Sequence, residues 1–205
     1  MNSQSEAKAT FMKAWPSIVR ECRLVLGSEL HYQAMIYHCL RQDGKVPIDQ
    51  IGMNVKMWID HPKTALFKRL DKEKHISFQG GFEPIPDIVL FYNSINGNWR
   101  RRNFENTLTH MLMAIEIKAS ERKDSRLRPG EIQFDIDKLV AHREEVKILG
   151  GSMVPVVLIV DSSPDPKEQM IPSSLEFVQE YARSNKVSFF ISPRREKFRR
   201  VGNQS

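Results

Sequence analysis

Two cysteines in 205 residues, Cys22 and Cys39, give neither a disulfide framework nor a CxxC metal pair. Both are expected to be reduced, buried and small, as suits an intracellular, cytoplasmic protein. No apolar run approaches the ~18 residues that a membrane span requires. The opening stretch, MNSQSEAKATFMKAW, is too polar for a secretory leader. Internal repeats and low-complexity linkers are missing too, so a single domain is expected. Six histidines, His31, His38, His61, His75, His110 and His142, lack HExxH or His–Cys spacing, which disfavours zinc. There is no GxxxxGK[ST] phosphate loop, which excludes ATP hydrolysis of that type. Ser162-Ser163 is not part of a GxSxG elbow, which disfavours a serine hydrolase.

What is present suits a folded, basic domain. Apolar residues make up 40% and charged residues 27%, enough for a core and against global disorder. The formal charge of +6 suits a polyanionic partner or simple solubility. Its distribution is uneven: Arg100, Arg101 and Arg102 form one run, and Arg194, Arg195, Lys197, Arg199 and Arg200 crowd the C-terminus.

Periodicity predicts a helix over 4–26, open to interruption at Pro16, with Gly27 as its stop. A second is predicted over 28–42, with Ser28 as N-cap, and a short one after Pro62. Strand patterns follow through HISFQGGFEPIPDIVLFY and MLMAIEIKAS. RPGEIQF reads as a short strand or loop, and a helix is predicted from about Asp135 to Leu149. MVPVVLIVDSS then gives a buried strand, and PSSLEFVQEYARSN a helix capped by a Ser173/Glu176 box. KVSFFIS gives a last strand. The order implies an α/β fold, a mixed central β-sheet flanked by helices.

Three ionisable residues sit in the most core-like strands: Asp87 heads Ile88–Phe91, and Glu116 and Lys118 lie within AIEIKAS. Alternation puts Glu116 and Lys118 on one face and Ile115 and Ile117 on the other. If the two strands pair, Asp87 meets Glu116. Carboxylates ~4 Å apart repel by about 4 kcal/mol at an effective dielectric of ~20. One must then take a proton, or both must share a cation. A hard divalent ion fits oxygen ligands, Mg²⁺ best, with Mn²⁺ as a substitute. Glu-Ile-Lys by itself is also what a strand-end ion pair looks like.

Pro86-Asp87, then Glu116-Ile117-Lys118 on the next strand, then helix and strand, resembles the PD-(D/E)XK nuclease superfamily. The resemblance spans roughly residues 28–191, with 1–27 as an N-terminal helical extension and 192–205 as a basic tail. It implies a restriction-endonuclease-like core and an endonuclease hydrolysing phosphodiester bonds, in DNA before RNA. It implies a metal held by Asp87, Glu116 and the Ile117 carbonyl, with Lys118 positioning or deprotonating the attacking water. Many members carry an acid on the helix before the sheet, and Glu29, heading the stripe Gln33, Ile36 and Leu40, matches it. Gln133 and Lys138 are candidates for the polar residue that reaches back to the site. The segment from Asn93 to His110 is long for the family. Its three arginines, with Trp99 and Phe104, are expected either to clamp a phosphodiester backbone or to form a solvated loop pinned by its aromatics. A nuclease-like fold that binds nucleic acid or protein without cutting is the alternative reading. A homodimer, or a subunit of a larger DNA-processing complex, also fits.

Overall fold

The computed structural model describes residues 1–121, 123 and 125–193. The arginine-rich C-terminal run therefore lies outside the described residues. Helix α1 (Gln4–Cys22) starts where the Ser3 hydroxyl accepts the Glu6 N–H at 3.1 Å. Ala7, Phe11, Ala14, Ile18 and Cys22 form its buried stripe. Pro16 does not break it. The carbonyl left without an N–H belongs to Met12, on the exposed side, where water can satisfy it. The helix stops at Cys22, short of Gly27, and leaves Leu24 and Leu26 exposed. Helix α2 (Glu29–Gln42) follows and packs on α1.

Five strands form the central sheet in the order β1-β4-β5-β6-β7. They are β1 (Ile51–Met53), β4 (Ile88–Phe91), β5 (Met111–Ala119), β6 (Val154–Asp161) and β7 (Ser188–Pro193). β1–β4 and β4–β5 pair antiparallel, while β5–β6 and β6–β7 pair parallel. Helix α5 (Pro129–Ile148) makes the first parallel crossover and α6 (Pro172–Ser184) the second. A hairpin of β2 (Ile59–Asp60) and β3 (Gly81–Phe82), with α3 (Ala65–Lys72) between them, is inserted after β1. The architecture is thus mixed α/β, a five-stranded mixed sheet flanked by helices.

The central strands bury both faces, which explains their nearly continuous apolar sequence. Ile88, Leu90, Ile115, Ile117 and Leu158 pack under α1 and α2. Val89, Phe91, Ala114, Val157 and Ile159 pack under α3, α5 and α6.

Three predicted boundaries are corrected. RPGEIQF is neither strand nor loop: α5 begins at Pro129, because proline suits the first helical position, where no N–H is needed. The Ser173/Glu176 box does not form, because Pro172 opens α6 and Ser173 falls inside its first turn. HISF is a 3₁₀ turn (Ile76–Phe78) rather than a strand. The Asn93–His110 segment holds two 3₁₀ turns and the short helix α4 (Phe104–Thr109), with Asn96 and Gly97 at positive φ as their turn requires. Among the described residues, no helix is long and apolar enough to cross a membrane.

Candidate active site

The amino end of β4 and the carboxyl end of β5 share one edge of the sheet, and the three strand charges meet there. Ile88 pairs with Ile115, so Asp87, one residue earlier, comes opposite Glu116 on the same face. The ladder stops at that pair, and Asp87 takes over the next β5 donor. Its Oδ2 accepts the Ile117 N–H at 2.6 Å. Its Oδ1 accepts from Gln33 Nε2 at 2.7 Å, and Gln33 Oε1 accepts from Asn54 Nδ2 at 3.2 Å. Asp87 is thus aimed by α2 and by the residue just past β1.

Glu116 is different. It is 7% exposed, and among the described residues no hydrogen bond reaches its carboxylate, whose oxygens are not among the fully buried ones left without a partner. Its nearest cation is Lys138, whose Nζ is 3.7 Å from Oε1. Lys118 Nζ lies 3.1 and 3.2 Å from the two oxygens of Glu29. It also lies 3.2 Å from Asp135 Oδ2, an ion-pair contact without good hydrogen-bond direction. Asp135 Oδ1 is 2.7 Å from Lys138 Nζ. Four carboxylates therefore meet two ammonium groups, leaving two negative charges in excess when all are ionised.

The pKa shifts follow from this crowding. Burial pushes Glu116 up to about 8; Lys138 opposes the shift, and Asp87 and Asp135 add to it. Burial likewise pushes Asp87 up to about 6, against the Ile117 N–H and with the Glu29 charge. Burial raises Glu29 too, against the attraction of Lys118. Burial works against the charge of Lys118, but Asp135 and Glu29 outweigh it and hold the ammonium above its ordinary range. Lys138 is held up in the same way by Glu116 and Asp135.

Above the cluster lies a cleft of about 380 Å³, lined by Glu29, Lys118, Glu131, Phe134, Asp135 and Lys138 among others. A larger hollow of about 750 Å³ between α6 and β7 is lined by exposed charges such as Glu176 and Arg183, with no buried cluster.

Asp87, Glu116, Ile117, Lys118, Glu29 and Lys138 are therefore neighbours. Gln133 is half-buried on α5 and does not line the cleft, because it is off the 131/134/135/138 face. The arginine run is exposed and tied elsewhere. Arg101 binds Glu83 at 2.7 Å and lies over the Trp58 ring at 5.0 Å, and Arg100 binds Asn98 at 2.9 Å. Trp99 stacks on Phe91 with centroids 5.2 Å apart, so this segment is pinned by its aromatics. Among the described residues none of the three arginines contacts the carboxylate cluster.

No protein-family model, curated protein or solved structure matches this chain.

Sequence reasoning missed Asp135 as a site residue and Gln33 and Asn54 as the supports of Asp87. With the helix started at Asp135, that acid looks like a first-turn residue facing water. With the start at Pro129 it sits in the second turn, 3% exposed, against the sheet. The available signal was the polar stripe Glu131, Asp135 and Lys138 on an otherwise apolar helix face. Among the described residues, no group of three His, Cys, Asp or Glu side chains is arranged to hold an ion. The set at issue here is two carboxylates and a backbone carbonyl.

Proposed function

We propose that this chain is a divalent-metal-dependent nuclease with a restriction-endonuclease-like core, hydrolysing phosphodiester bonds in DNA before RNA. The observation that carries the reading is Glu116, a buried carboxylate with no hydrogen-bond donor, facing Asp87 in a cluster two negative charges in excess. Among the described residues its one close cation is Lys138, at 3.7 Å, and a mostly buried carboxylate supported by a single long ion pair is costly, which structural carboxylates avoid. The donor chemistry fits a hard divalent ion. Asp87, Glu116 and the Ile117 carbonyl would hold Mg²⁺ or Mn²⁺, and each oxygen of Asp87 keeps a lone pair beyond the hydrogen bond it accepts. Such an ion, when bound, supplies charge on a phosphate oxygen and a water of lowered pKa.

The remaining roles belong to the chain. Lys118, kept as an ammonium by Glu29 and Asp135, offsets charge developing on the phosphate and is a poor general base. Proton acceptance then falls to Glu29, whose carboxylate borders the cleft beside Lys118. Asp135 positions both lysines.

Asp87→Ala, Glu116→Ala and Lys118→Ala are each expected to cut Mg²⁺-dependent cleavage of labelled DNA by a factor of roughly 100 or more. Circular dichroism should show the fold retained. Cleavage that survives all three substitutions ends the proposal.

One observation favours a non-cutting scaffold instead: Lys118 and both oxygens of Asp87 already have partners within the protein. Metal titration separates the readings. A nuclease gains thermal stability from Mg²⁺ or Mn²⁺, and Glu116→Gln abolishes the gain. A scaffold responds to neither ion.

A further inference from the structure

Phe134 stands 41% exposed on the wall of the cleft, while Ile132, Ile136 and Leu139 of the same helix are buried. The helix turn that carries Asp135 and Lys138 to the charged cluster also brings this ring to the opening. Lys138 Nζ lies 5.7 Å from the ring centroid, so an aromatic surface and a cation border the same space. We infer that the cleft holds one unstacked nucleotide with its base against Phe134, so that the substrate class is single-stranded or frayed nucleic acid rather than intact duplex. This rests on the nuclease reading above and narrows it.

Three features point this way. The cleft, about 380 Å³, is of a size for a small ligand and far too small for a double helix. A base inside a duplex has both faces covered by its neighbours, so only a base freed from the stack can lie on Phe134. The charge on the walls is selective as well. Glu29, Glu121, Glu131 and Asp135 against Lys118 and Lys138 oppose a phosphate within the cleft unless a cation accompanies it. They do not oppose a neutral base, so the base occupies the cleft and the phosphate approaches Lys118 and Glu29 only with the ion proposed at Asp87 and Glu116.

The test is equilibrium binding of the full chain, in Mg²⁺, to a fluorescent phosphorothioate oligonucleotide that resists hydrolysis. It is run single-stranded and as a blunt duplex. Phe134→Ala should weaken single-strand binding roughly 5- to 100-fold, the range of one base–aromatic stack, and Phe134→Trp should restore it. Duplex binding should barely change. Equal losses on both substrates, no loss on either, or no measurable single-strand binding by the wild type would overturn the inference. Cleavage of ordinary DNA is scored separately. Cleavage that prefers duplex and ignores Phe134→Ala defeats this inference and leaves the nuclease reading intact. Single-strand binding that depends on Phe134 without any cleavage upholds the base-holding cleft and defeats the nuclease.

Discussion

Glu116 and Glu145 are both buried glutamates, 7% and 3% exposed, and they are satisfied in opposite ways. Glu145, on the far half of α5, accepts the N–H groups of Lys63 and Thr64 at 2.7 and 2.6 Å and so anchors the start of α3. Among the described residues Glu116 accepts no hydrogen bond; it faces Lys138 at 3.7 Å and shares its space with Asp87 and Asp135. The first carboxylate holds the fold through one oxygen, Oε1, which takes both N–H groups. The second keeps acceptor capacity to spare behind Lys118, Asp135 and Lys138, which line the cleft. Burial alone does not tell these two acids apart; the count of donors does.

The largest expected effect breaks the structural side of this contrast. Glu145→Ala leaves the part-buried N–H groups of Lys63 and Thr64 without their acceptor and should lower stability by about 2–3 kcal/mol in urea unfolding. A loss below ~1 kcal/mol would show that Glu145 is no anchor. The next effect is on pH dependence. Asp87 and Glu116 have folded pKa values raised to about 6 and about 8, so the native protein holds protons that the unfolded chain has already released. Metal-free stability should therefore be greatest below pH ~3.8 as far as this pair is concerned. It should fall as pH rises to about 8, by about 1.4 kcal/mol per pH unit for each proton carried, in two steps that belong to the facing pair. Saturating Mg²⁺ should flatten the decline. His142, buried beside α3 and pushed down to about 3 by that burial, acts in the other direction. Its contribution is present above pH ~6.5 and is lost as pH falls toward 3.

Smaller effects sharpen the functional side. Glu116→Gln removes a buried charge that no donor supports, and in chelator at pH 8 it should raise stability by about 1 kcal/mol, or a Tm by about 2–4 °C. A clear loss would mean that the charge is structurally required. Arg101→Ala breaks an exposed ion pair with Glu83 and should change stability by less than about 1 kcal/mol. It should leave Mg²⁺ stabilisation untouched, because Arg101 is not part of the cluster.

Much of this arrangement was legible in the chain. Ile88–Phe91, Met111–Ala119 and Val154–Asp161 are so apolar that their central place in the sheet follows. A period of two on β5 suffices to put Glu116 and Lys118 together. The start of α5 was not legible, because Pro-Gly suggests a turn until its position ahead of a helix is known. β1 and β2 were not legible either: they are two or three residues long and are strands only by virtue of their partners. Asp135 was missed for a related reason: with the start placed six residues late, at Asp135 instead of Pro129, the acid falls in the first turn instead of the second.

By itself the sequence determined which residues would be buried together and that a pair of acids would face each other beside a lysine, because strand alternation and hydrophobic runs are local properties. The three-dimensional structure alone decided that Gln33 and the Ile117 amide support Asp87, that Asp135 holds both lysines, and that among the described residues Glu116 has no hydrogen-bond donor. Those depend on groups far apart in the chain arriving within 4 Å, and hydrogen-bond and Coulomb energies at that range change with shifts smaller than any sequence pattern specifies.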